Sequence, residues 1–167
     1  FGVIFEHHHR FIYKFVYAMA GDHSRAEELT QETFLGAYRS IASMRGDASL
    51  KTWLCAIAKN LVYKSFRDGR AEREKKGEAE NVEFADNRGL SPAEEVLNKE
   101  LNQAITEALA LLNADRRLIF VLREMQNLSY KEISDVTGSA IPRLKTDLLR
   151  AKSEMRNLLR PYLEVRR

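Results

Sequence analysis

Three stretches of this 167-residue chain place reactive or recognising side chains at useful spacings. The first is Leu128 to Lys152. It reads as a short helix, a glycine-containing turn and a longer basic helix, the layout of a helix-turn-helix. The longer helix has an apolar stripe of Ile141, Leu144, Leu148, Ala151, Met155 and Leu158. Off that stripe lie Arg143, Lys145, Thr146, Leu149, Arg150 and Lys152. Guanidinium and ammonium groups bond guanine edges or phosphates, and threonine reaches either. An ordinary helical hairpin would show the same stripe and charges. The second stretch is Met44 to Lys64, where Trp53 lies among Lys51, Lys59 and Lys64. Aromatic platforms with cations hold single-stranded DNA, although Trp53 shares its spacing with Leu50 and Ile57 and so also suits a core. The third is Glu27-Glu28-Leu29-Thr30-Gln31-Glu32-Thr33-Phe34. Carboxylates around Leu29 and Phe34 make a polar-rimmed docking face for a protein, or a plain solvated helix surface.

Other chemistry finds little support. Consecutive helical residues fan out by about 100°, so His7, His8 and His9 do not converge on one ion. Glu27, Glu28 and Glu32 lack the partner Glu-x-x-His motifs of a carboxylate metal site in a bundle. No phosphate-cradling glycine loop or nucleophile elbow occurs. The expectation is therefore a non-enzyme with no catalytic residues, no metal and no cofactor. Cys55 is the only cysteine, which excludes an internal disulfide and a cysteine-based zinc finger and suits a reducing cytoplasm.

These residues need helices to position them. Phe1, Ile4, Phe5, Phe11, Ile12, Phe15, Val16 and Met19 recur with helical spacing, and Gly21 stops that run. Ser24 to Glu27 reads as a capping box, opening a helix that buries Ala26, Leu29, Phe34, Ala37 and Ile41. Leu50, Trp53, Leu54, Ile57, Leu61 and Phe66 mark a third helix. Residues 67–88 are dense in charge and poor in large apolar groups, which predicts a mobile linker. Ser91-Pro92-Ala93-Glu94 restarts order, with helices at 92–112 and 115–125. Ser129 to Glu132 caps a helix ending near Val136, Gly138 ends it, and a last helix runs from Ala140 to Leu159.

The fold class is therefore all-α: two small helical domains, residues 1–68 and 91–167, joined by a flexible linker at 69–90. Hydrophobic residues at 44% suffice for two cores, and 31% charged residues solvate the surface. No uncharged run exceeds seven residues, so membrane insertion is not expected. No signal-peptide pattern appears, and the opening at Phe1 suggests that a few upstream residues are missing. The net charge of +3 is unevenly spread: residues 142–167 hold eight Lys/Arg against three Asp/Glu. Such basic blocks point to nucleic acid.

Three segments together resemble the extracytoplasmic-function (ECF) sigma factors of bacterial RNA polymerase. Ala26 to Arg39 is similar to that family's region-two helix. Arg45-Gly46-Asp47-Ala48-Ser49-Leu50-Lys51-Thr52-Trp53-Leu54-Cys55-Ala56-Ile57-Ala58-Lys59-Asn60 is similar to its next signature. Leu128 to Ile133 and the helix after Gly138 resemble its region-four helix-turn-helix. The resemblance implies a subunit that lends promoter specificity to core polymerase. Glu27, Glu28, Leu29, Gln31, Glu32 and Phe34 would bind the polymerase. Arg45, Asp47, Ser49, Lys51, Thr52, Trp53, Lys59, Asn60 and Lys64 would melt and read the minus-ten element, capturing an unstacked base. Lys145, Thr146, Leu149 and Arg150 would read the minus-thirty-five element, with Arg143, Lys152, Ser129 and Tyr130 alongside. Two weak sites joined through one polymerase gain affinity by effective concentration. An anti-sigma factor is an implied partner. The sequence departs from the family pattern at Ser139, Pro142 and Asp147, which stand where an apolar residue, glycine and arginine are usual, and at Leu50, where phenylalanine is common. Pro142 fits a first helical turn, and Ser139 is a candidate N-cap. The rival expectations are a sigma-like module that sequesters an anti-sigma factor without reading promoters, and a dimeric helix-turn-helix repressor, which leaves the acidic helix unexplained.

Overall fold

The computed structural model describes residues 1–44, 49–76 and 92–164. Among them every regular element is helical. Helix α1 (Gly2–Ala20) buries Ile12, Phe15, Val16 and Met19. Gly21 ends it at φ 73°, returning its N–H to the Tyr17 carbonyl at 2.8 Å; a Cβ would be strained in that left-handed conformation. Helix α2 (His23–Ser40) is capped by Asp22, whose carboxylate accepts the Arg25 N–H at 3.0 Å. The cap expected at Ser24 is thus two residues early, because aspartate is as good a cap and comes first. A 3₁₀ turn follows at Ile41–Ser43, and Ile41, expected inside, is 40% exposed.

Helix α3 spans Leu50–Lys76. It continues through the start of the expected linker at 69, because Arg, Ala, Glu and Lys are strong helix formers and extending a nucleated helix is easier than starting one. Residues 77–91, the rest of that linker, lie outside the described residues, as do 45–48 with Arg45 and Asp47.

Helix α4 spans Pro92–Leu111. Helix α5 (Ala114–Phe120) is capped by Asn113, which accepts from the Arg116 N–H at 2.9 Å. A single π turn, Val121–Met125, then widens the chain before Asn127 at φ 58°. The one helix expected at 115–125 is thus two pieces. Helix α6 (Tyr130–Thr137) opens with the reciprocal Ser129–Glu132 capping box and closes at Gly138, φ 73°. Helix α7 (Ile141–Glu164) buries Leu144, Leu148, Ala151 and Met155 and runs past Leu159, with Pro161 in its last turns. Ser139 does not cap it. Its N–H goes to Thr137 Oγ1 at 3.2 Å and its carbonyl takes the Ser134 hydroxyl at 2.8 Å, while Ala140 accepts from Leu144 N–H.

The two expected groups, α1–α3 and α4–α7, are present, and they also touch. Helix α1 meets α4, α5 and the π turn, and α3 meets α6. Arg117 of α5 donates to the Met19 carbonyl at 2.6 Å and to Ala110 and Leu112 at 3.1 Å, with its guanidinium 5.3 Å from the Phe66 ring centroid. It thereby satisfies helix-end carbonyls that have no partner within their own helices. The Tyr63 hydroxyl donates to Asp115 Oδ1 at 2.7 Å. Buried side chains from both groups join in one apolar core.

Candidate polymerase and nucleic-acid interfaces

The acidic segment lies along α2. Glu27, Glu28, Gln31 and Glu32 are exposed, whereas Leu29 and Phe34 are each only 4% exposed. Phe34 packs edge-on against Phe5, ring centroids 4.9 Å apart. Leu29 and Phe34 hold the helix in place from beneath rather than facing a partner. The buried hydroxyls of Thr30 and Thr33 donate to the carbonyls of Ala26 and Leu29, which costs no unpaired polar group. Glu27 lies 3.3 Å from His23 and Glu28 3.6 Å from Arg25. These pairs are solvent-exposed and contribute little to stability, so the carboxylates are available. Sequence reasoning missed Leu35, exposed beside Glu32, and Tyr38, exposed further along this helix with its ring edge-on to Phe1 at 5.3 Å. Their signal was there: large apolar residues lying off the buried stripe. A groove of about 440 Å³ between α2 and α3 is lined by Glu32, Leu35, Gly36, Arg39, Ile57, Asn60 and Leu61. It brings Glu32 of the acidic face and Asn60 of the expected strand-reading set to one depression.

The start of α3 carries the next cluster. The Ser49 hydroxyl accepts the Thr52 N–H at 3.1 Å and donates to Thr52 Oγ1 at 2.7 Å. Thr52 is buried. Trp53 is half-buried against the core, so most of its ring is packing. Lys51 sits 4.7 Å from the Phe11 ring centroid and Lys59 5.7 Å from that of Tyr63. Asn60 and Lys64 are exposed. Glu132, from the other helical group, faces this cluster. Its carboxyl is held below the ordinary glutamate range, first by the Ser129 backbone N–H, with help from the Ser129 hydroxyl, Lys51 and Thr52 and against a partial loss of solvation.

The helix-turn-helix is α6, Gly138 and α7. Tyr130 receives cations from two elements, with Arg123 at 4.5 Å and Lys145 at 5.5 Å from its ring centroid. Lys152 pairs with Glu124 at 2.9 Å, and Arg116 pairs with Glu154. These contacts pin α7 to α5 and the π turn. Arg143 lies 3.7 Å from Asp147, so Asp147 answers a cation of its own helix. Ser129, Lys145, Thr146, Leu149 and Arg150 are exposed.

The histidines stay apart. His7 donates to its own helix at the Val3 carbonyl, His9 packs on Phe5 and Phe34, and burial lowers His8 below the usual imidazole value, with His7 and Lys51 adding to it. Among the described residues no group of side chains is arranged to hold a metal ion, and no helix is long and apolar enough to cross a membrane. Cys55 is fully buried, and burial pushes its thiol up to about 12, so it stays protonated and inert.

Residues 4–72 match the family model for sigma-70 region 2, and residues 102–155 match that for sigma-70 region 4. The ECF RNA polymerase sigma-E factor of Escherichia coli K12 is 29% identical over 154 residues, covering 88% of this chain and 78% of that protein. The RNA polymerase sigma-H factor of Pseudomonas aeruginosa is 29% identical over 148 residues, covering 85% and 77%. Among solved structures, the sigma factor RpoE in complex with the anti-sigma factor NepR from Bartonella quintana superposes with a TM-score of 0.75 at 26% identity, covering 93% of this chain and 94% of that one. CnrH in complex with the cytosolic domain of CnrY, at 17% identity and TM-score 0.71, shares the fold. The chain belongs to the ECF sigma factors, with a region 2 and a region 4 domain. Members of this family act in transcription initiation, binding RNA polymerase and DNA, and are not enzymes.

Proposed function

We propose that this chain docks on core polymerase through the exposed face of α2, Glu27, Glu28, Gln31 and Glu32, extended by Leu35 and Tyr38. Leu29 and Phe34 support that face from the core. The start of α3, with Ser49, Lys51, Thr52, Trp53, Lys59, Asn60 and Lys64, then reads and holds the opened minus-ten strand, together with Arg45 and Asp47 just before it. Helix α7 reads the minus-thirty-five element with Lys145, Thr146, Leu149 and Arg150, flanked by Arg143, Lys152, Ser129 and Tyr130. The protein works in the cytoplasm, where polymerase and promoters are. The observation that carries this reading is the separation of charge: an outward carboxylate face on α2, and cations on α3 and α7. Glu28→Lys with Glu32→Lys should abolish copurification with core polymerase while leaving helicity intact; retained binding removes α2 from the interface. Lys145→Ala and Arg150→Ala should each weaken promoter binding by about 1–3 kcal/mol if they make good base contacts.

An anti-sigma factor is the proposed regulator, supported by the likeness to a sigma factor solved with one. The alternative, a sigma-like module that sequesters such a factor without reading promoters, draws on the Arg143–Asp147 pair, which takes a cation away from DNA. Specific run-off transcription with purified core enzyme eliminates it.

A further inference from the structure

We propose that Leu149 is an apolar specificity determinant that recognises the C5-methyl group of a thymine in the minus-thirty-five element. The assignment rests on α7 being the helix presented to promoter DNA. The buried stripe of α7 is Leu144, Leu148, Ala151 and Met155. Rotating by 100° per residue, Leu149 falls on the solvent side about 130° from the centre of that stripe, with Lys145 and Lys152 between it and the stripe on one side and Ser153 and Thr146 on the other. It is 71% exposed while the adjacent Leu148 is 4% exposed. A lone surface leucine is ordinary; one set between two lysines and two hydroxyl side chains on a face proposed to read DNA is not.

Several polar groups around it have partners within the chain. Arg143 faces Asp147 at 3.7 Å and Lys152 holds Glu124 at 2.9 Å. Lys145 lies over Tyr130, and the Thr146 hydroxyl donates to the Pro142 carbonyl at 3.1 Å. Among the described residues Arg150 makes no ion pair. The face therefore offers a leucine, one uncommitted guanidinium beside it and a rim of partly satisfied cations. The rim selects a polyanion. In the major groove the one apolar group on a base edge is the thymine methyl. Burying a methyl against a leucine discriminates thymine from cytosine without a hydrogen bond, and Arg150 then takes an adjacent guanine or phosphate.

The test uses holoenzyme reconstituted from the full chain and core polymerase, on a promoter selected from a pool randomised over the minus-thirty-five region. Each selected thymine there is replaced in turn by deoxyuridine, which removes only the methyl group. One or two positions should lose about fourfold in affinity, the value of one buried methyl. Leu149→Ala should bind less tightly by a similar factor and no longer distinguish thymine from deoxyuridine, while Leu149→Met should retain the distinction. Absence of any sensitive position, or sensitivity that persists in Leu149→Ala, overturns the proposal while leaving α7 as a promoter-binding helix. Indifference of the holoenzyme to the minus-thirty-five sequence and to Arg150→Ala overturns both.

Discussion

The two helices proposed to meet DNA hold most of their cations in different ways. On α3, Lys51 and Lys59 lean on the rings of Phe11 and Tyr63. On α7, Arg143 and Lys152 lean on the carboxylates of Asp147 and Glu124, and Lys145 alone lies over a ring, that of Tyr130. An aromatic face orients a cation and leaves its charge intact, whereas a carboxylate cancels it. On the proposed reading the first helix thus keeps Lys59 free of any carboxylate for a flexible single strand, which offers phosphates in no fixed pattern. The second gives up charge and keeps shape, which suits a groove whose edges are fixed. Net charge per helix is accordingly a poor guide to how strongly each one grips DNA.

Three measurements would break or sharpen that comparison. The largest effect concerns the scaffolds that hold the two helices. Phe15→Ala should cost about 3–5 kcal/mol and Leu148→Ala about 2–5 kcal/mol of unfolding free energy. Both groups share one core, so each variant should melt in a single transition. Two separated calorimetric peaks would show that α1–α3 and α4–α7 unfold independently. A smaller effect concerns charge. Lys51→Ala should make promoter affinity less salt-dependent by about one unit of log–log slope, and Asp147→Asn, which frees Arg143, should steepen it by up to about the same. Equal slopes for both variants and the parent would remove the contrast. The smallest effect is on pH. The Glu132 carboxyl titrates below its ordinary value, chiefly through the Ser129 N–H. Its ionised form therefore stabilises the fold above the unfolded glutamate value of about 4.3, and that contribution fades as pH falls through the lower folded value. Glu132→Gln should thus be less stable than the parent at neutral pH, with the two converging in acid; a gap unchanged by pH would assign the effect to capping alone.

Much of the fold was legible because its signals are local. Ser129 with Glu132, Gly138, Gly21 and Pro92 each mark a helix end through their own backbone chemistry, and all fall where expected. The acidic run on α2 was legible as a segment but not as a surface. Leu29 and Phe34 belong to the buried stripe with Ala26 and Ala37, while Leu35 and Tyr38, off that stripe, reach solvent. The far end of α3 was misread because charge density says that a segment cannot bury itself, not that it cannot be helical. The contact between the two helical groups was not legible. Arg117 reaching the Met19 carbonyl and Tyr63 reaching Asp115 join residues 98 and 52 positions apart, and no local pattern encodes such meetings. Nor does spacing reveal that Glu124 would engage Lys152, whereas the Arg143–Asp147 pair, four residues apart on one helix, is a contact that spacing encodes.

The carboxylate that closes the first turn of α6 is the same one that faces Lys51 and Thr52. On the proposed reading, a nucleotide strand drawn to Lys51 would compete with Glu132 for it, and linkage would make that competition mutual. Capture of melted DNA by α3 would then loosen its contact with the neighbouring α6, and a ligand that secures α6 against α3 would raise the threshold for strand capture. One acidic side chain would in this way couple the opening of a promoter to the stance of the helix pair proposed to find it.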